Sequence, residues 1–305
     1  MDGQKRTVKE FMQKHIFLFI ILMLLCAFLN NIVTSFVTAP FADSVPAAHL
    51  SQALCKYITA LLPLALMFKW GLVQKTSGRK VLLGILLGIP NVLLIAEHLL
   101  PFSLISPASY KVLWLSVLAI IAAYFGVGLM EEAAFRGVLL PLLCEKWSGR
   151  KNSCMKAALF SSALFGFAHL SWIINALVFH GTVSMIECLG RLYQVYYAFC
   201  FGMLCAGITL CTKSIIPVVI WHALVDISAA IGQGVLYPTV YQYYFELHPI
   251  GFDTLLVQKG IVQDASLLSW VLPIGMDAVL LVAGILMVRK SEGCFGKGAD
   301  HKQPE

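Results

Sequence analysis

Charge is what this 305-residue sequence has least of: Asp, Glu, Lys and Arg make up 12% of it, while 59% is hydrophobic. Soluble globular domains carry about a quarter charged residues, so a water-soluble fold is excluded, and the mean hydropathy of +0.82 agrees. The nine cysteines form no CxxC pair, which removes the spacing of a redox dithiol or a thiolate zinc site. Cys26, Cys55, Cys200, Cys205 and Cys211 lie inside apolar runs and read as small buried hydrophobes. No HExxH occurs, so the common helical zinc-protease signature is missing. No internal repeat is evident, which disfavours a transporter built from inverted halves.

What the chain has instead is a series of apolar runs, at approximately 15–37, 50–68, 81–100, 112–130 and beyond, 157–179, 192–210, 215–236 and 267–288. Each approaches the roughly 20 residues a helix needs to cross a bilayer. The expected fold is an all-α membrane protein of about eight transmembrane helices. The first run follows Lys5, Arg6, Lys9 and Lys14, as a signal peptide would, but it continues past Asn30 and Asn31. That exceeds the roughly 7–15 residues of a signal core, so an uncleaved first span is expected. With residues 1–14 in the cytoplasm, alternate loops on that side collect 18 of the 22 lysines and arginines. The opposite side keeps Lys56, Lys111, Arg191 and Lys259. The net charge of +6 is thus a topology signal, and no nucleic-acid partner is implied. The expectation is a plasma-membrane protein with both termini cytoplasmic, a membrane domain over residues 15–290 and a tail over 291–305.

The apolar pattern breaks at residues 130–138, Met-Glu-Glu-Ala-Ala-Phe-Arg-Gly-Val. Positions four apart stack on one helix face, so Glu132 and Arg136 pair along the helix and Glu131 is aimed elsewhere. Charges at membrane depth cost kilocalories each and mark a functional site by default. The fifth run contains Phe165-Gly-Phe-Ala-His169 and the seventh His222-Ala-Leu-Val-Asp226. One histidine in an apolar helix is usually a packed core residue; two, with three acids, point to a cluster. At about 1.5 Å per residue, His222 lies roughly 10 Å and His169 roughly 20 Å from the cytoplasmic face. All six residues can therefore meet in a polar cavity toward the cytoplasmic half of the membrane.

Glu131, Glu132 and Asp226 against Arg136 leave about two uncompensated negative charges, which a low-dielectric site does not hold bare. Either some groups are protonated or a divalent cation sits among them, with zinc the ion that suits carboxylate and imidazole. Both solutions lead to activated water. In one, Glu131 takes a proton from water held with His169. In the other, an ion held by Glu131, His169 and His222 lowers the pKa of water. His222 can donate to the oxyanion of a tetrahedral intermediate, and Asp226 can hold its other ring nitrogen.

The elements Glu131-Glu132-xxx-Arg136, Phe165-xxx-His169 and His222-xxx-Asp226 resemble the EExxxR, FxxxH and HxxxN/D motifs of the CPBP family. That family comprises intramembrane CAAX proteases and bacteriocin-processing enzymes and is also called the Abi family. The resemblance implies an eight-helix fold, a catalytic water on Glu131 and His169, oxyanion stabilisation by His222 and Asp226, and support of the glutamates by Arg136. It implies either a metalloprotease or a metal-free, glutamate-dependent reaction. The prenyl proteases of the family usually have asparagine where this chain has Asp226. An ionised aspartate cannot donate a hydrogen bond, so orienting His222 suits it better, and the departure points to the bacterial branch.

The expected activity is intramembrane endoproteolysis of a membrane-associated protein or peptide, such as a pheromone or bacteriocin precursor, with membrane lipids as the remaining partners. The alternatives are a non-catalytic bacteriocin-immunity or membrane-scaffold protein, and an ion-coupled transporter. Outside the motifs, Lys56 and Asp277 are read as a pair, or Lys56 as snorkelling to the surface, and Glu97 and His98 as interfacial. The polar segment 237–266 has no assigned role.

Overall fold

The apolar runs fold as helices. The computed structural model describes residues 10–11, 14–41, 43–72, 76–99, 114–171, 173–174, 177, 185–230 and 267–299, and all regular structure among them is helical. In chain order these are α1 (Ile16–Thr38), closed by a 3-10 turn (Ala39–Phe41), α2 (Val45–Lys69), α3 (Gly78–Leu87), α4 (Asn91–Leu99) and α5 (Trp114–Glu132). There follow a π-helical segment (Ala133–Leu139), α6 (Leu140–Lys146), α7 (Ser153–Ala168), α8 (Met185–Thr212), α9 (Ile216–Ala230) and α10 (Leu267–Ala299). The segment 237–266 lies outside the described residues.

By length and composition, four helical stretches are long and apolar enough to cross a membrane: Ile16–Phe41, Val45–Lys69, Trp114–Lys146 and Cys188–Thr212. Large apolar side chains such as Phe17, Phe68, Trp114 and Leu118 are left exposed on them, as a lipid-facing surface requires. The protein is therefore an all-helical membrane protein, and the described residues support four candidate spans where the runs suggested eight. Ser153–Ala168 and Ile216–Ala230 are apolar but shorter.

The reasons for shortening are local. The third run divides at Gly88, Ile89 and Pro90 into α3 and α4. Proline has no N–H to give and disfavours helix in the residue before it, and the Asn91 side chain instead donates to the Gly88 carbonyl at 3.0 Å. Within the fifth run α7 ends at Ala168 with His169 as its C-cap, and helical residues resume at Ser171 after the turn.

Two packed groups of three helices position the motifs. Helix α5 lies along α2 and crosses α9, and α8 lies between α7 and α10. Small residues set these distances. A Cβ on Gly128 would come 3.1 Å from the Val219 carbonyl of α9, and one on Gly166 2.7 Å from the Val195 carbonyl of α8. A Cβ on Gly284 of α10 would lie 2.6 Å from the Met203 carbonyl, where only backbone can yield. Gly284→Ala is accordingly expected to destabilise by about 1–3 kcal/mol through overpacking, measurable as a lower thermal midpoint in detergent.

The turn between α8 and α9 is three residues long, and Ser214 Oγ accepts the Ile216 N–H at 3.2 Å, capping α9. At the far end of the chain, Glu292 Oε1 accepts the Met155 N–H at 2.9 Å. A carboxylate there satisfies a free donor in the first turn of α7 and complements its dipole. The two ends of α7 thus hold Glu292 and His169.

Candidate active site

Helix α5 does not continue regularly past the two glutamates. Residues 133–139 adopt a π-helix, a widened turn that recurs at functional sites because it re-aims side chains without ending the helix. Phe135, Arg136 and the next four residues are consecutively buried. Nothing in the spacing of residues 130–138 signals this.

Glu132 is fully buried, and its Oε1 is the junction of the site. It accepts from Arg136 Nη1 at 3.1 Å, the expected i,i+4 pair, and from His222 Nδ1 at 2.8 Å. Arg136, also fully buried, sets its guanidinium over the Phe165 ring at 4.3 Å from the centroid, a cation–π contact strengthened by desolvation. Its Nε and Nη2 have no hydrogen-bond partner among the described residues. Gly202 leaves the space for it, since a Cβ there would lie 2.8 Å from Nη2.

His222 Nε2 points to the opposite side, toward Asp226 Oδ2 at 3.5 Å and Glu131 Oε2 at 3.7 Å. These separations exceed a direct hydrogen bond. The side chains of Glu131 and Asp226 are 23% and 25% exposed, against none for Glu132, so this is the open side of the imidazole. The orienting partner of His222 is therefore Glu132, where the sequence reading gave that part to Asp226. Asp226 and Glu131 both face His222 Nε2.

His169 reaches the group across an aromatic wall. Its Nδ1 donates to the Phe165 carbonyl at 2.9 Å; because a carbonyl only accepts, this leaves the Nε2 lone pair as the free face of the neutral ring. The Phe165 ring meets His169 edge-on at 5.0 Å and His222 at 5.9 Å, and Phe201 meets His222 at 5.1 Å. Phe201 carries no motif signal and was not anticipated. Phe165→Leu should leave the chain folded but loosen both imidazoles, with a thermal midpoint lowered by several degrees.

All six motif residues are thus brought to one region, five of them joined around His222 and Arg136 and His169 placed through Phe165. A ligand set is another matter. Among the described residues, no group of three or more His, Cys, Asp or Glu side chains is placed to hold a metal ion. Glu131, His169 and His222 as placed do not form such a group.

The other polar residues of the apolar runs find separate partners. Asp277 accepts from Tyr193 Oη at 2.9 Å, and Lys56 donates to Asn31 Oδ1 at 3.1 Å; they do not pair, and Lys56 does not snorkel, being 4% exposed. His98 Nδ1 bonds Ser228 Oγ at 3.0 Å, which ties α4 to α9.

Comparison with known proteins gives one finding. Residues 113–228 match the family described as type II CAAX prenyl endopeptidase Rce1-like. No curated protein and no solved structure matches the chain. The matched stretch contains every one of the six motif residues and ends two residues after Asp226. Residues 113–228 are thus similar to that family, in agreement with the resemblance carried by the three motifs.

Proposed function

We propose that the chain is an intramembrane endopeptidase in which Glu131 activates water and His222 stabilises the oxyanion. The observation that carries this reading is the two-sided environment of His222: Nδ1 fixed on buried Glu132 at 2.8 Å, and Nε2 facing the two more open carboxylates at 3.5 and 3.7 Å. A gap of that size beside a partly exposed carboxylate suits a water or a substrate carbonyl.

Glu131 takes a proton from water while the oxygen attacks the scissile carbonyl carbon. The carbonyl π electrons move to oxygen, and His222, when it carries two protons, donates Nε2–H to that oxyanion. Collapse re-forms the carbonyl, breaks the C–N bond and returns the proton from Glu131 to the leaving amine. His169, with its Nε2 lone pair free, orients the water. Asp226, which has no proton to give when ionised, tunes His222 instead of contacting the oxyanion.

The substrate class we infer is a membrane-anchored peptide, with a prenylated C-terminal CAAX sequence the first to test because of the matched family's description. A pheromone or bacteriocin precursor is the second. The basic loops favour both termini in the cytoplasm, which opens the site to that side. The test is cleavage by the protein in proteoliposomes of an internally quenched CAAX peptide, with and without the prenyl group, and of an apolar leader peptide. Cleavage lost in Glu131→Ala and His169→Ala supports the reading; equal activity in either variant overturns it. Elemental analysis of the same three preparations addresses the metal. About one zinc per wild-type chain, lost in both variants, would replace Glu131 as sole activator; an active, zinc-free and chelator-insensitive preparation leaves the work to Glu131 and His222.

A further inference from the structure

Lys56 occupies a place that its sequence context did not suggest. A snorkelling lysine keeps its amine in water, yet Lys56 is 4% exposed. Its stem starts against α5: a Cβ on Gly126 would lie 3.1 Å from Lys56 Cβ. Gly126 precedes Glu131 by about one and a half helical turns, and α2 runs parallel to α5, since Thr59 Oγ1 donates to Met130 Sδ at 3.2 Å. The ammonium is within Coulombic reach of Glu131.

The same amine begins a polar chain. Lys56 Nζ donates to Asn31 Oδ1 at 3.1 Å, and Asn31 Nδ2 donates to Ser171 Oγ at 3.1 Å. Ser171 lies two residues after His169. Next to Asn31, Asn30 Nδ2 reaches Met130 Sδ at 3.4 Å, so α1 and α2 together grip the residue before Glu131 and the residue after the His169 turn.

Charge supplies the second argument. Glu131, Glu132 and Asp226 bring three negative charges, and Arg136 brings one positive. Lys56 adds a second, and His222 with two protons a third, which closes the balance without an ion. A buried cation is retained only where it is compensated, and the carboxylate in reach is Glu131.

Building on the endopeptidase reading, we infer that Lys56 is a positioning residue: the counter-charge of Glu131, tied through Asn31 and Ser171 to the segment that follows His169. It touches neither water nor substrate and acts through those two residues.

The test is a double-mutant cycle on the full chain in detergent, with Lys56→Met, Glu131→Gln and both together, read as thermal midpoints. This readout needs no turnover, so it judges the pair even if the wild type cleaves none of the peptides, a result that would count against the endopeptidase reading alone. Lys56→Met should lower the midpoint more in the wild-type background than in the Glu131→Gln background, by roughly 2 °C or more. Additive shifts overturn the inference, as does a Lys56→Met chain that fails to fold in both backgrounds; folding restored by Glu131→Gln supports it. In turnover, Lys56→Met should lower kcat at least tenfold with KM within about twofold, and Lys56→Arg should recover most of the loss. A non-additive cycle with unchanged kcat overturns the positioning role, because a charge pair without consequence for Glu131 positions nothing.

Discussion

Glu131→Gln loses peptide cleavage by about 10²–10⁴-fold, the range that removal of a general base gives, and lowers the thermal midpoint by only the few degrees that loss of the Lys56 counter-charge costs. Two features of the site make this the expected result. Glutamine preserves the shape of the side chain, and Glu131 is 23% exposed with its ion-pair partner, His222 Nε2, at 3.7 Å. Apart from its pairing with Lys56 it holds little together, so most of the loss falls on chemistry. Glu132→Gln provides the contrast. Its carboxylate is fully buried and serves two donors at once, so the amide would have to turn an N–H toward one of them, costing stability and the orientation of His222 together. Cleavage and midpoint therefore separate the adjacent glutamates. A Glu131→Gln chain that cleaves at the wild-type rate would refute water activation by this residue.

Arg136→Met has the largest expected effect on stability. Arg136 and Glu132 are both fully buried at 3.1 Å, and removing one member of a buried pair leaves the other uncompensated, at about 3–5 kcal/mol. The guanidinium also covers the Phe165 ring, so its loss opens a gap beneath both histidines. Against a total stability of about 5–15 kcal/mol, this lowers the thermal midpoint by roughly 10 °C or prevents accumulation of the protein. Adding Glu132→Gln should restore part of the loss, because no bare carboxylate then remains; a double variant worse than Arg136→Met by the full cost of Glu132→Gln would show the two residues to be independent.

The residues of the site were legible because each breaks a greasy sequence. Glu131, Glu132, Arg136, His169, His222 and Asp226 have no reason to lie in apolar runs except one another, and the four-residue spacing of Glu132 and Arg136 gave their pairing directly. The partners of His222 were not legible. Spacing favours Asp226, one turn away on the same helix, but the nearer acid comes from α5, and which of two candidates wins depends on how closely Gly128 lets α5 approach α9. Helix lengths were partly readable: Pro90 announces the break between α3 and α4, whereas no residue announces that α7 stops at Ala168. Lys56 was misread because a long flexible side chain in an apolar helix usually reaches water, and its burial follows from Gly126, a small residue seventy positions away in sequence.

The widened turn at Ala133–Leu139 bears on descent as well as on geometry. Such a turn is what a regular helix becomes on absorbing one surplus residue, so the same helix can lose one residue there and run on in its original direction. Arg136 would then swing by about 100° around the axis, away from Glu132 and Phe165. A single-codon deletion in this stretch would spare the membrane helix while dismantling the centre built on it. Among relatives of this chain, a one-residue gap between the second glutamate and the arginine would therefore mark lineages that kept the scaffold and gave up the reaction.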